Sequence, residues 1–147
     1  NNNPNEVKIG VGHEFYERTD GFFSMAETYG MNVFDKNVKT MDVGITYEAV
    51  SKDQIDVAMV YTTDGKLKKY DLFVIEDNKN FFPVYNLCVT VHKDSLEKYP
   101  EIEKILKPLT EIMTEEVSQQ LNYQVDVKGI PAEKVARDFL KEQDLID

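Results

Sequence analysis

Tryptophan is absent from this chain of 147 residues, and cysteine occurs once, at Cys88. A single cysteine excludes an internal disulfide and any cysteine-rich metal centre. Inside an apolar run, Cys88 reads as a small buried residue rather than a catalytic thiol. Histidine is nearly as scarce, with only His13 and His92. His13-Glu14 matches the opening of a zinc-protease helix, but no second histidine stands at the required spacing, so no metal site is expected. Gly10 and Gly12 end a strand-like run, yet Phe15 stands where a dinucleotide fingerprint needs its third glycine; a plain strand-to-loop turn is the better reading, and no cofactor is expected. Ser24, Ser51, Ser95 and Ser118 lack the flanking glycines of a nucleophile elbow. No apolar run approaches the ~18 residues that span a membrane. No charged-then-apolar leader is visible, and the asparagine-rich start, Asn1 to Asn5, reads as a clipped or engineered end. Basic residues are few: 17 Lys and Arg face 27 Asp and Glu, for a net charge of −10. Such a surface repels phosphate backbones and argues against nucleic acid as a partner.

Apolar residues make up 41% of the chain, enough to build a core. The first half alternates strand-like and helix-like segments. Val7–Val11, Val38–Met41, Ile55–Tyr61 and Leu72–Ile75 read as strands. The near-continuous apolar run from Ile55 suits a strand buried on both faces of a parallel sheet. Between them, Asp20 reads as a helix N-cap, with Phe22, Ala26 and Tyr29 at helical spacing and Gly30 as the stop. Ile45, Ala49 and Val50 mark a short helix after Gly44. This order predicts an α/β architecture with helices on both faces of the sheet.

The second half opens with one more strand-like run, Val84–Val91, and is then mostly helical. Ile102, Ile105, Leu106, Leu109, Ile112 and Met113 form an amphipathic stripe with Pro100 in its first turn. Pro108 should kink or split that helix. Thr114 can cap a short helix ending near Leu121, and Pro131 opens a last one carrying Ala132, Val135, Ala136, Phe139 and Leu140. The switch of character near Asp77–Phe82 is the candidate boundary between two lobes. Among polar and aromatic residues, Tyr61 and Tyr85 each sit at the edge of a strand-like run. Arg18 lies between Glu17 and Asp20, where a surface ion pair is the plain reading.

Five motifs then coincide: Glu14-Phe15-x-x-Arg18-Thr19-Asp20-Gly21, Met41-Asp42-x-Gly44, Tyr61-Thr62-Thr63-Asp64-Gly65, Phe81-Phe82-Pro83-x-Tyr85 and Leu121-Asn122-Tyr123-x-Val125-Asp126. In order and spacing they resemble the glycine betaine/carnitine/choline-binding proteins of osmoprotectant ABC transporters, from about residue 6 to the end. The resemblance implies a periplasmic-binding-protein-like (type II) α/β fold: one α/β lobe plus a mostly helical C-terminal part of the other. It assigns residues 1–80 to most of the second lobe and 81–147 to the C-terminal portion of the first, whose N-terminal part is missing from this chain. It implies a binding protein, not an enzyme, working with an ABC permease outside the cytoplasm, periplasmic or anchored at the cell surface. A quaternary ammonium cannot donate a hydrogen bond, so aromatic faces must hold it. By motif match, Tyr61 and Tyr85 are two walls of that cage and share one cleft. Arg18 matches a position facing the ligand's carboxylate, and His13 lies close in sequence to that loop. Helices deprived of the sheet that they cover would also invite self-association. A ligand-sensing regulatory domain reusing the fold and an enzyme on an α/β scaffold are the alternative readings. The first finds no helix-turn-helix segment here, and the second finds no nucleophile motif.

Overall fold

A chain that alternates short apolar strands with helices must bury both faces of its sheet, and residues 9–58 do so around a three-stranded parallel sheet. The computed structural model describes residues 6–33, 35–85 and 87–147. The chain divides into two compact units, one holding residues up to Thr62 together with Lys66–Pro83, the other Thr63–Gly65 and Val84–Asp147.

In the first unit the sheet order is β2-β1-β3, with β1 (Ile9–Val11) central, β2 (Val38–Thr40) on one side and β3 (Val57–Ala58) on the other. Gly10 pairs with Lys39 and with Ala58. The ladder runs on where Met41 N donates to Val11 O and Met59 N to Gly10 O, each at 2.9 Å. Side chains alternate faces along β1. Ile9 and Val11 join Phe15 of α1 (His13–Glu17) and Phe22 of α2 (Phe22–Thr28) in a buried cluster. The opposite face carries Gly10 and Gly12. A Cβ on Gly10 would lie 2.5 Å from Ile55 Cδ1, and one on Gly12 would lie 2.9 Å from Val43 Cγ2, at the start of α3 (Val43–Ser51). Helices therefore cover both faces, as the alternation of elements predicts.

Local chemistry sets the helix ends. Asp42 caps α3 by accepting from Gly44 N at 2.7 Å. Gly30, at φ +62°, closes α2, with Met31 N reaching back to Ala26 O at 2.8 Å. The N-cap of α2 is Gly21, not Asp20. A Cβ at residue 21 would lie 2.0 Å from Phe15 O, so only glycine fits there, and the Asp20 carboxylate is engaged by Arg18 instead. The buried face of α3 also differs from expectation. Thr46, Tyr47 and Ala49 are buried, whereas Ile45 is exposed.

Two expected strands are not formed. Leu72–Ile75 has no ladder partner among the described residues, and Phe73 is 89% exposed. Val84–Val91 is likewise irregular over its described residues, with Asn86 outside them, and Cys88 is exposed, not buried. A strand is half of a pair, and β propensity without a neighbour leaves backbone groups to water. The Ile55–Tyr61 run pairs with β1 over Val57–Ala58 only, with the flanking bonds Val57 N to Lys8 O and Met59 N to Gly10 O.

In the second unit α5 (Lys93–Lys98), α6 (Glu101–Ile112), α7 (Glu115–Asn122) and α8 (Ala132–Glu142) follow one another, α4 (Lys66–Lys69) belonging to the first unit. Pro100 is the N-cap of α6, and Pro108 does not split it. Pro108 sits in the last stretch, where its missing N–H costs one bond and the helix ends four residues later. Thr114 caps α7, its Oγ1 accepting from Val117 N at 3.1 Å. A π-helical turn at Tyr123–Val127 continues α7. Thr63–Gly65 seats on it: Asn122 Nδ2 donates to Thr63 O at 2.9 Å, and a Cβ on Gly65 would lie 2.4 Å from Tyr123 N. That close approach accounts for the glycine of the Asp64-Gly65 pair. Val135 is the one buried hydrophobic among the described residues of this unit.

Candidate functional site

Ligands of open α/β sheets bind outside the carboxyl ends of the strands, where the strand order reverses. Here the reversal is at β1, because the chain goes to β2 on one side and then crosses to β3 on the other. Gly10 and Ala58 are paired across β1 and β3, so His13 and Tyr61, each three residues further on, leave the same edge of the sheet. His13 opens α1 and is exposed. Tyr61 is 58% exposed, its ring available to solvent.

The Tyr61 backbone is held from below. Its N–H donates to the hydroxyl of Tyr47 at 3.2 Å, and Tyr47 is fully buried in α3. The ammonium of Lys66 lies 5.6 Å over the Tyr47 ring and donates to Gly44 O at 2.9 Å. Sequence reasoning missed Tyr47 and Lys66. A tyrosine on the buried face of a helix beside a sheet edge is the signal that would have pointed to the first.

Arg18 caps the far end of α1. Its guanidinium grips Asp20 in a two-point fork, Nε to Oδ1 at 2.9 Å and Nη2 to Oδ2 at 2.7 Å, and stands 3.8 Å from the Glu14 carboxylate. The hydrogen bond from Arg18 lowers the Asp20 carboxyl below its usual range. The surface ion pair anticipated for Arg18 is thus present, with Asp20 as the principal partner. Tyr85 belongs to the second unit, on an irregular segment, and is 74% exposed. Of the four sequence-derived residues, then, His13 and Tyr61 share one sheet edge, Arg18 lies one short helix away, and Tyr85 follows the crossing between units.

Among the described residues no group of three His, Cys, Asp or Glu side chains could hold a metal ion. No described helix is long and apolar enough to cross a membrane.

Residues 1–142 match the family described as the substrate-binding domain of the ABC-type glycine betaine transport system. The chain is 38% identical over 134 residues to a glycine-betaine-binding protein of Pseudomonas aeruginosa, covering 91% of this chain and 43% of that protein. It is 32% identical to the carnitine transport binding protein OpuCC of Listeria monocytogenes, covering 97% of this chain and 46% of that protein. A crystal structure titled glycine betaine/carnitine/choline ABC transporter superposes with a TM-score of 0.84 at 31% identity, covering 99% of this chain and 52% of the other. The chain belongs to this substrate-binding family, which is one of binding proteins and not of enzymes, and its fold is periplasmic-binding-protein-like. It spans about half the length of the curated relatives it matches.

Proposed function

We propose that this chain contributes to the capture of quaternary ammonium osmoprotectants, such as glycine betaine, carnitine or choline, for an ABC importer. One observation supports this most directly within the family just described: an exposed aromatic ring, Tyr61, stands at the carboxyl edge of a parallel sheet on a backbone fixed by the buried Tyr47. A trimethylammonium head is attracted to such a face by the ring quadrupole, at ~0.5–2 kcal/mol per ring depending on how dry the contact is. Tyr61 and Tyr85 are two walls of the aromatic cage in this reading. Arg18 receives the carboxylate of betaine or carnitine, and His13, at the other end of α1, lies close to it in sequence. Residues 1–80 form most of the second lobe and residues 81–147 the C-terminal portion of the first. The partners are the ammonium solute and an ABC permease that receives it, and the site of action is outside the cytoplasm. The half-exposed stripe of α6, with Ile105 65% exposed, also favours self-association of the chain.

Titration with glycine betaine, carnitine, choline and ergothioneine, the last because a relative from Helicobacter pylori bears its name, tests the reading. Tyr61→Ala should weaken each ligand by ~1–2 kcal/mol and Tyr61→Phe by much less, since phenylalanine keeps the π-face. Equal losses for both variants would rule out the ring face as the attraction.

A further inference from the structure

The first unit ends in a turn that is more heavily bonded than its exposure requires. The Asp77 carboxylate accepts from three donors: the Tyr29 hydroxyl at the end of α2, Phe81 N at 3.0 Å and Phe82 N at 2.9 Å. The Tyr29 oxygen in turn accepts from Lys79 N at 3.1 Å, and Lys79 Nζ donates to Thr28 O at 2.6 Å. Asn80 N closes the turn on Asp77 O at 3.2 Å, with Asn80 itself at φ +53°. The turn is thereby tied to α2 through both Asp77 and Lys79. Its two aromatic residues then reach α1. The Phe82 ring lies 5.8 Å from Phe15 and 5.0 Å from Phe81, and Phe81 packs on the buried cluster. Pro83 is the last residue of the unit, and Tyr85 comes two residues later.

We propose that Asp77 is a positioning residue: its carboxylate clamps the Asp77–Pro83 turn onto the end of α2, while Phe82 packs on Phe15 of α1, and so fixes the end of the first unit at Pro83, two residues before Tyr85. A carboxylate suits the task because it alone among short side chains accepts several hydrogen bonds at once and donates none. The aromatic pair supplies the second anchor, so the turn is held from its start by charge and from its end by packing. The consequence for ligand rests on the reading of Tyr85 as a cage wall; the clamp itself does not.

The test is amide exchange and backbone relaxation by NMR on the 147-residue chain, with Asp77→Ala, Asp77→Asn and Tyr29→Phe. In Asp77→Ala the Phe81 and Phe82 amides should exchange at least tenfold faster and the Tyr85 amide should gain motion, while the amides of α3 stay as protected as before. Asp77→Asn keeps one acceptor oxygen and should restore part of the protection. Unchanged exchange at Phe81 and Phe82, or faster exchange there with Tyr85 unaltered, would overturn the proposal. If Asp77→Ala unfolds, α3 will report it, and Tyr29→Phe, which removes one hydroxyl, decides the matter by the same two readouts. Glycine betaine titration is the separate arm: threefold or greater weakening in Asp77→Asn, equal for choline, is expected. Failure of the unaltered chain to bind either solute would contradict the function proposed above and leave the exchange result to judge the clamp.

Discussion

Arg18 is already engaged by Asp20 and Glu14, and the proposed ligand carboxylate would have to compete with them. Its fork is taken by Asp20, and exposed, screened pairs of this kind contribute little to stability. A ligand carboxylate must displace or share that contact. Arg18→Ala should therefore weaken glycine betaine by up to ~10- to 150-fold, the range for a charge-assisted bond, and spare choline, which has no carboxylate. Asp20→Asn should move betaine affinity the other way. Parallel titrations of both solutes decide it, and equal effects on both would mean that Arg18 does not read the carboxylate. The Tyr29–Asp77 pair gives a pH prediction. Hydrogen bonding from Tyr29 lowers the Asp77 carboxyl below its usual 3.8, so its contribution to stability is present above that value and is lost as pH falls through the lowered one. Bonding to Asp77 raises the Tyr29 phenol above its usual 10.0, so that contribution is whole below 10.0 and is lost as pH rises through the raised value. Glu76 and Lys79 lie in the same turn; Glu76 adds to the rise at Tyr29, and the Lys79 amide opposes it. Thermal melts from pH 5 to pH 2 should show the gap between the native chain and Asp77→Asn closing as acid is added. A gap that widens would mean the carboxylate is not stabilising.

Elements were legible in the sequence where the signal is local and illegible where it needs a neighbour. Thr114 and Gly30 were readable because a cap is made by residues within one turn. Asp20 misled because Arg18, two residues away, competes for its carboxylate, and because the fit of Gly21 against Phe15 O is a tertiary fact. Leu72–Ile75 and Val84–Val91 carry strand composition, but pairing depends on strands remote in sequence. At the site, the strand-edge position of Tyr61 is legible in the sequence but its degree of exposure is not, since a tyrosine there is ordinarily half-buried; the support from Tyr47 is hidden because the helical face is marked by Ile45. α3 is the element that carries this support. Tyr47→Phe removes the oxygen that accepts from Tyr61 N, a part-buried bond worth ~0.5–1.5 kcal/mol. Denaturant melts should show a loss of that order, with faster exchange at the Tyr61 amide. No change in either would remove Tyr47 from the site.

At the scale of the whole molecule, the two units differ in how well their apolar surface is covered. The first has a sheet with helices on both faces; in the second α6 is half-exposed, and Val135 of α8 is the one buried hydrophobic among its described residues. The two named relatives are about twice as long as this chain. The central claim is that an aromatic face at the sheet edge attracts a permanent cation. Glycine betaine and 3,3-dimethylbutanoate have the same shape and the same carboxylate but differ in the charge of the head. The decisive measurement is an NMR titration of the 147-residue chain with each, followed at Tyr61. The account predicts saturable shifts at Tyr61 with betaine, at least about tenfold weaker binding of the neutral-headed analogue (~1.4 kcal/mol), and a shrinking of that difference in Tyr61→Ala. Equal binding of the two compounds, or no response of Tyr61 to betaine, would contradict it.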